Sequence, residues 1–385
     1  MLEQSVVQPK VVEQGLVSTV SQIRGVSRVV NWRQVGLFLA VTFTLTYALN
    51  LTLHLVWGYG TNVATGTLLQ LQMLIPAAVA IVLQLFVFKT SPIYHLRQGP
   101  RWFFYGYLGY VALFVLGAVA AIARPDMTIL TTVKLLIQVL FILFIVILRL
   151  VTGREAFRRA SLAGGKWWYY PLFGLFLAGV YALMTALNAL FELGRPVDIQ
   201  EVFIMYGGGA SGLASLSPAA FWLIVGTNAL LLSPILGLVF FFGEEYGWRG
   251  YLQSELVKMG KVRGLLLVGV IWGVWHTPII VMGHNYPGYP LAGSVLMVLC
   301  TIVLAFLFGF AVLKSGSVWL AAFLHGLNNN VIPLLFGMVY EPDSPVLAFG
   351  CGVLGLLVWG LIIAGLLFFW RHWWEEEHPL PEYGG

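Results

Sequence analysis

Residues 219–252 read AAFWLIVGTNALLLSPILGLVFFFGEEYGWRGYL. The first 24 of them, through Phe242, carry no charge. About 20 apolar residues suffice for a helix to cross a hydrocarbon core about 30 Å thick. Two adjacent carboxylates, Glu244 and Glu245, then follow. The stretch predicts a membrane span running into acid groups, which are costly beside such an apolar run unless each finds a partner.

The same kind of run recurs on both sides. Ten apolar stretches can be marked, at 35–57, 68–88, 103–123, 130–151, 167–191, 219–242, 264–282, 291–313, 315–338 and 346–370. The 385 residues are 59% hydrophobic and 10% charged, with a mean hydropathy of +0.87. A soluble domain has about 45–50% apolar and about 25% charged residues. That excludes an ordinary soluble enzyme, a disordered chain and a secreted disulfide scaffold. The expected fold is all-α, a polytopic transmembrane helical bundle of about ten spans. The first 30 residues lack the apolar run and cleavage site of a signal peptide, so the first span is expected to stay as an anchor. The chain divides into a tail (1–34), spans of unassigned role (35–214), a core bearing the polar motifs (215–340), and a last span with its tail (341–385).

Charge sets the expected orientation. Eighteen of the 21 Lys and Arg fall on the side shared by the two tails and alternate loops. Only Arg124 and Arg195 lie opposite, with Lys134 near the start of the fourth span. Cytoplasmic loops retain Lys and Arg, so both termini are expected in the cytoplasm of an integral, multi-pass protein, in the plasma membrane if the host is bacterial. The net charge of +5 is then a topology signal. The bilayer is an expected partner and nucleic acid is not. Cys300 and Cys351 lie in apolar runs, and neither a disulfide framework nor a cysteine metal site is expected. In the tail RHWWEEEHPLPEYGG, Trp373 and Trp374 read either as an interfacial belt or as part of a solvated segment.

Ionisable groups inside the spans are the informative residues. Arg249 follows Glu245 by four, the spacing at which helical side chains meet. Glu244 points about 100° away and is left for another partner, which is how a site separates the roles of two carboxylates. His276 lies about 12 residues, or about 18 Å, into the seventh span. Pro278 then deprives the Val274 carbonyl of its helical donor. His325 lies about 15 Å into the ninth span, parallel to the seventh, so the two imidazoles come to similar depths. Asn329 shares its helix face. His54, alone in the first span, is expected only to pack. A carboxylate to activate water, an imidazole to hold it, and an imidazole with an amide facing an oxyanion are the equipment of peptide hydrolysis without a covalent nucleophile. A structural charge cluster is the simpler alternative.

Glu244-Glu245-x-x-x-Arg249, His276 in a Trp-His-Thr-Pro setting, and His325-x-x-x-Asn329 together resemble the CPBP family of intramembrane proteases. That family includes type II CAAX prenyl endopeptidases and the Abi and bacteriocin-immunity proteins. The resemblance covers about residues 215–340 and implies a helical bundle with a polar cavity open to the cytoplasm. It implies Glu244 as general base assisted by His276, His325 and Asn329 as the oxyanion site, and Glu245 and Arg249 as their support. The implied substrate is a membrane-associated protein or lipidated peptide, with prenylated CAAX proteins the natural candidates. Many members have Phe four residues before the second-motif histidine; Trp272 stands there in this chain and narrows the cavity. No cofactor is expected. Zinc held by the same residues is the alternative, but HExxH is absent and pairing Glu245 with Arg249 removes one of the ligands that a tetrahedral site needs.

Three other readings compete. Gly209-Ala210-Ser211-Gly212 matches the rhomboid GxSG pattern, but on the side away from Glu244. The same stretch (207–212) reads GxGxxG with no strand before it, so nucleotide binding is rejected. Intramembrane Glu and His also mark the ion paths of transporters, although no inverted repeat accompanies them here. A non-enzymatic immunity or scaffold protein is the last alternative, and the intact motifs argue against it.

Overall fold

The computed structural model describes residues 29–96, 98–125, 129–207 and 216–376. Its helices are α1 (Trp32–Thr52), α2 (Val63–Val82), α3 (Gln98–Ala123), α4 (Ile129–Thr152), α5 (Tyr169–Leu190), α6 (Pro218–Thr227), α7 (Leu238–Glu245), α8 (Lys261–Val281), α9 (Pro290–Ser315), α10 (Val318–Pro333), α11 (Val353–Phe369) and the short α12 (Arg371–Glu375). Several start at a side-chain cap: Asn31, Asn62, Ser217 and Ser317 each accept from a backbone N–H three residues on, which satisfies a donor the first turn leaves free. Wider π-helical turns prolong α1, α2, α6, α7 and α10.

Among the described residues nine helices are long and apolar enough to cross a membrane, from Trp32–Trp57 to Val318–Val339. Leu150, Leu175 and Leu361 are more than 70% exposed on the outer faces, as lipid rather than water permits. The protein is an integral, multi-pass membrane protein with an all-α bundle. Two spans depart from expectation. The tenth begins only at Val353, because the chain turns until the extended Gly352, and the helix is 17 residues long. The sixth is not one rod over 219–242. Pro234, which cannot donate to the carbonyl of Leu230, follows a π-turn at Asn228–Leu232, and the helix breaks at Gly237 before α7 begins.

Glycines decide how closely the central helices approach. A Cβ on Gly243 would lie 2.5 Å from the Met73 carbonyl oxygen, and one on Gly247 would collide with Pro76. The pair, four apart on the chain, thus lets the Glu244–Glu245 segment press against the middle of α2. Gly269 and Gly273 do the same between α8 and α9, where each Cβ would meet a backbone Cα at 2.5 Å, of Ile302 and Val298 respectively. Small residues at such spacing are how helices associate without a hydrophobic driving force between them.

Three further features differ from the sequence reading. Cys300 in α9 is disulfide-bonded to Cys351, with Cα atoms 5.4 Å apart. No framework was expected because both cysteines lie in apolar runs; folding brings those runs together across 51 positions. Two short strands, Gly194–Pro196 and Tyr340–Pro342, pair antiparallel and tie the loop after α5 to the loop after α10. Of the tail, Trp373 and Trp374 are docked rather than solvated: Trp374 is buried against Phe306 and Phe310, and Lys314 Nζ lies 4.3 Å from the Trp373 ring centre.

Candidate active site

The first motif is carried by α7 and the π-turn Tyr246–Leu252. Glu244, Glu245 and Arg249 are all buried, at 3%, 0% and 2% exposure. Three such groups persist in an apolar bundle only if they answer one another. Arg249 Nη1 donates to Glu245 Oε1 at 3.1 Å, and the guanidinium stacks over the Trp272 ring at 4.1 Å. His325 Nδ1 meets the same Glu245 oxygen at 2.8 Å. Glu244 takes no part in this and instead accepts from the indole N–H of Trp272 at 2.9 Å. The two adjacent carboxylates therefore have separate partners.

The second motif lies in α8. His276 Nδ1 is 2.9 Å from the carbonyl oxygen of Trp272, one turn earlier. A carbonyl only accepts, so Nδ1 carries the hydrogen, and Nε2 of the neutral ring is left as an acceptor. The neighbouring carbonyl of Val274, freed by Pro278, receives the Tyr47 hydroxyl at 2.7 Å. That bond fastens α1 to α8 beside the histidine. Trp275, next in the chain, donates to Thr46 Oγ1 at 2.9 Å.

The third motif lies in α10. With Nδ1 engaged by Glu245, His325 has only Nε2 free, and its ring is walled by Phe241 (5.2 Å), Trp272 (5.6 Å) and Phe308 (6.1 Å) between centres. His276 also lies 5.6 Å from the Trp272 ring centre, so the two imidazoles flank one indole. Asn329, one turn beyond His325, is exposed, whereas Asn328 before it is buried and Asn330 after it half-buried. Its Oδ1 accepts from Asn328 Nδ2 at 3.0 Å, and its own amide hydrogens point away from that bond.

Five of the six residues singled out in the sequence are linked through Trp272 and Glu245; Asn329 lies one turn beyond His325 and is bonded to Asn328. Sequence reasoning had Trp272 only as a wall. Its spacing of four before His276 was visible, but its bond to Glu244 crosses between helices. Asn328 and its partner Tyr181 were missed, since nothing in the sequence of α5 points to α10. His54 stands exposed on the bundle surface. Gly209–Gly212, the GxSG stretch, lies outside the described residues. Among those described, no group of three His, Cys, Asp or Glu side chains is arranged to hold a metal ion. Glu245 is already shared by Arg249 and His325.

A multi-pass helical bundle that brings a buried glutamate pair and two buried histidines together at one place assembles the groups that proton-transfer chemistry uses. Residues 226–331, a little over a quarter of the chain, match the family model described as type II CAAX prenyl endopeptidase Rce1-like. The match agrees with the family that the three motifs resemble, and its description is that of an endopeptidase. All six motif residues lie inside the match. No curated protein matches the chain.

Proposed function

We propose that the protein is an intramembrane endopeptidase that hydrolyses a peptide bond of a membrane-associated, lipidated protein by glutamate-activated water. The observation that carries this reading is the division between the two carboxylates: Glu245 is committed to Arg249 and His325, while among the described residues Glu244 has only the Trp272 donor. Glu244 keeps an oxygen available to take a proton, as a general base requires. His276 presents Nε2 as an acceptor and helps hold the attacking water. The water oxygen adds to the scissile carbonyl as its proton passes to Glu244. Negative charge then develops on the carbonyl oxygen, opposite the amide of Asn329 and His325, whose Nε2 donates there when the ring carries a hydrogen on both nitrogens. Collapse of the tetrahedral species breaks the C–N bond, and Glu244 returns its proton to the leaving amine.

The Rce1-like match favours a prenylated CAAX-type peptide as the substrate. The excess of basic residues on the side of both tails supports a cytoplasmic side for the termini and for the site's opening. The test is cleavage of a fluorogenic farnesylated peptide by the detergent-purified full chain, compared with Glu244→Gln, each with and without a zinc chelator. Activity in the wild type, its loss in Glu244→Gln and its survival with chelator are the expected results. Equal cleavage by both proteins would overturn the assignment of the base. Loss with chelator and restoration by zinc would overturn the metal-independent mechanism.

A further inference from the structure

Tyr181 lies in α5, outside the segment that matches the family model, and is fully buried. Its hydroxyl donates to Asn328 Oδ1 at 2.5 Å, and Asn328 Nδ2 donates to Asn329 Oδ1 at 3.0 Å. This short chain has a direction. A carboxamide has one accepting end and one donating end. If Oδ1 of Asn328 receives the tyrosine proton, its Nδ2 must face Asn329. Asn329 then spends its oxygen on that bond and turns its NH2 group to the open side. Were the Asn328 amide reversed, its oxygen would face Asn329 and draw in the Asn329 NH2. The exposed end would then be an oxygen, which repels developing negative charge.

The tyrosine end is held in place. Its ring packs edge-on between Phe336 at 6.3 Å and Trp359 at 6.0 Å, and α5 lies close against α10, where a Cβ on Gly174 would stand 3.3 Å from the Phe323 ring. Asn328 is 7% exposed, so bulk water does not readily replace Tyr181 as its donor. We propose that Tyr181 is a positioning residue that fixes the amide orientation of Asn329 through Asn328, so that Asn329 meets the reacting carbonyl as a hydrogen-bond donor. This rests on the endopeptidase reading above and gives α5, one of the spans outside the family match, a part in the reaction.

The experiment measures kcat, KM and inhibition by a phosphinate analogue of the same farnesylated peptide, whose tetrahedral oxygens imitate the oxyanion. The proteins are wild type, Tyr181→Phe, Asn328→Leu and the double variant, with Glu244→Gln and Asn329→Ala as references. Tyr181→Phe is expected to lower kcat by about tenfold with KM unchanged and to weaken phosphinate binding by the same factor. That is less than the ~10²–10³ expected for removing an oxyanion donor outright. The double variant is expected to match Asn328→Leu alone, because both break one chain. Should Tyr181→Phe fail to fold, Asn328→Leu carries the same comparison of kcat with phosphinate binding.

Wild-type kcat in Tyr181→Phe, or a loss confined to KM, would overturn the proposal while leaving the endopeptidase reading intact. Additive losses in the double variant would also overturn it. Wild-type kcat in Asn329→Ala beside an inactive Glu244→Gln would remove the oxyanion role of Asn329, and this proposal with it. No cleavage by the wild type, or full activity in Glu244→Gln, would overturn the endopeptidase reading itself.

Discussion

The indole of Trp272 donates to Glu244 across 2.9 Å, joining two helices at residues 28 positions apart. The same residue gives its backbone carbonyl to His276 and its ring face to Arg249. Phenylalanine at this position would keep the wall and the stacking but lose the donor. Trp272→Phe is therefore expected to lower kcat by about fivefold to tenfold, the effect of one hydrogen bond worth about 1–1.5 kcal/mol, and to lower the melting temperature as well, because buried Glu244 loses its donor and the smaller ring leaves a void. Turnover of a lipidated peptide beside a thermal melt checks this; unchanged kcat would mean the indole N–H does not orient the base.

Glu245 and Arg249 are expected to matter first for stability. Both side chains are fully buried, and removing one leaves the other as an uncompensated charge, at a cost of about 3–5 kcal/mol. Glu245→Ala should lower the melting temperature sharply. Replacing the pair together, Glu245→Gln with Arg249→Met, should recover part of that loss. A double variant no more stable than Glu245→Ala would show that the pair is not the reason these residues are tolerated there.

Gly243 sets how near the glutamates come to α2. In Gly243→Ala the new methyl would meet the Met73 carbonyl and the Leu74 Cα at 2.5 and 3.0 Å. Overpacking of this kind costs about 1–3 kcal/mol. Because Glu244 is the next residue, activity should fall along with the melting temperature. A variant with the wild-type melting temperature would argue against the close approach.

The Cys300–Cys351 bond joins the middle of α9 to the turn before α11, where the Tyr286 hydroxyl also donates to the Cys351 carbonyl at 2.9 Å. Peptide mapping without reductant should recover the two cysteines linked. Cys351→Ser should destabilise the fold by about 2–4 kcal/mol, the usual worth of a disulfide. Two free thiols in the untreated protein would refute the pairing.

At the paired strands, Arg195 is bonded to both Glu201 and Glu341, at 2.8 and 2.6 Å. The hydrogen bond from Arg195, followed by its charge, holds the Glu201 carboxyl below its usual range. A folded value below the unfolded one means the contribution is complete at neutral pH and is lost as pH falls through the lowered value. Hydrogen-exchange protection of residues 194–203 and 340–343 should stay level from neutral pH into the mildly acidic range and then decline. High salt should weaken it at neutral pH, since the groups are exposed. Protection that rises on acidification would contradict the sign.

Much of this was already fixed by composition and spacing. A chain this apolar cannot remain in water, and runs of about 20 apolar residues can satisfy their backbone in a bilayer only as helices. The spacing of four placed Arg249 on Glu245 and Asn329 on the face of His325, because one helical turn brings such residues together whatever surrounds them. Pro278 announced the freed carbonyl of Val274 for an equally local reason. What only the tertiary structure decided is every relation that crosses from one helix to another. Trp272 reaches Glu244, Tyr47 takes up the Val274 carbonyl, Tyr181 orders the two asparagines, and Cys300 finds Cys351. Side chains on different helices meet according to crossing angle and depth, which here depend on glycines such as Gly243 and Gly273 and on the break at Gly237. A helix's own periodicity specifies which residues share a face, but not which face of another helix will meet them.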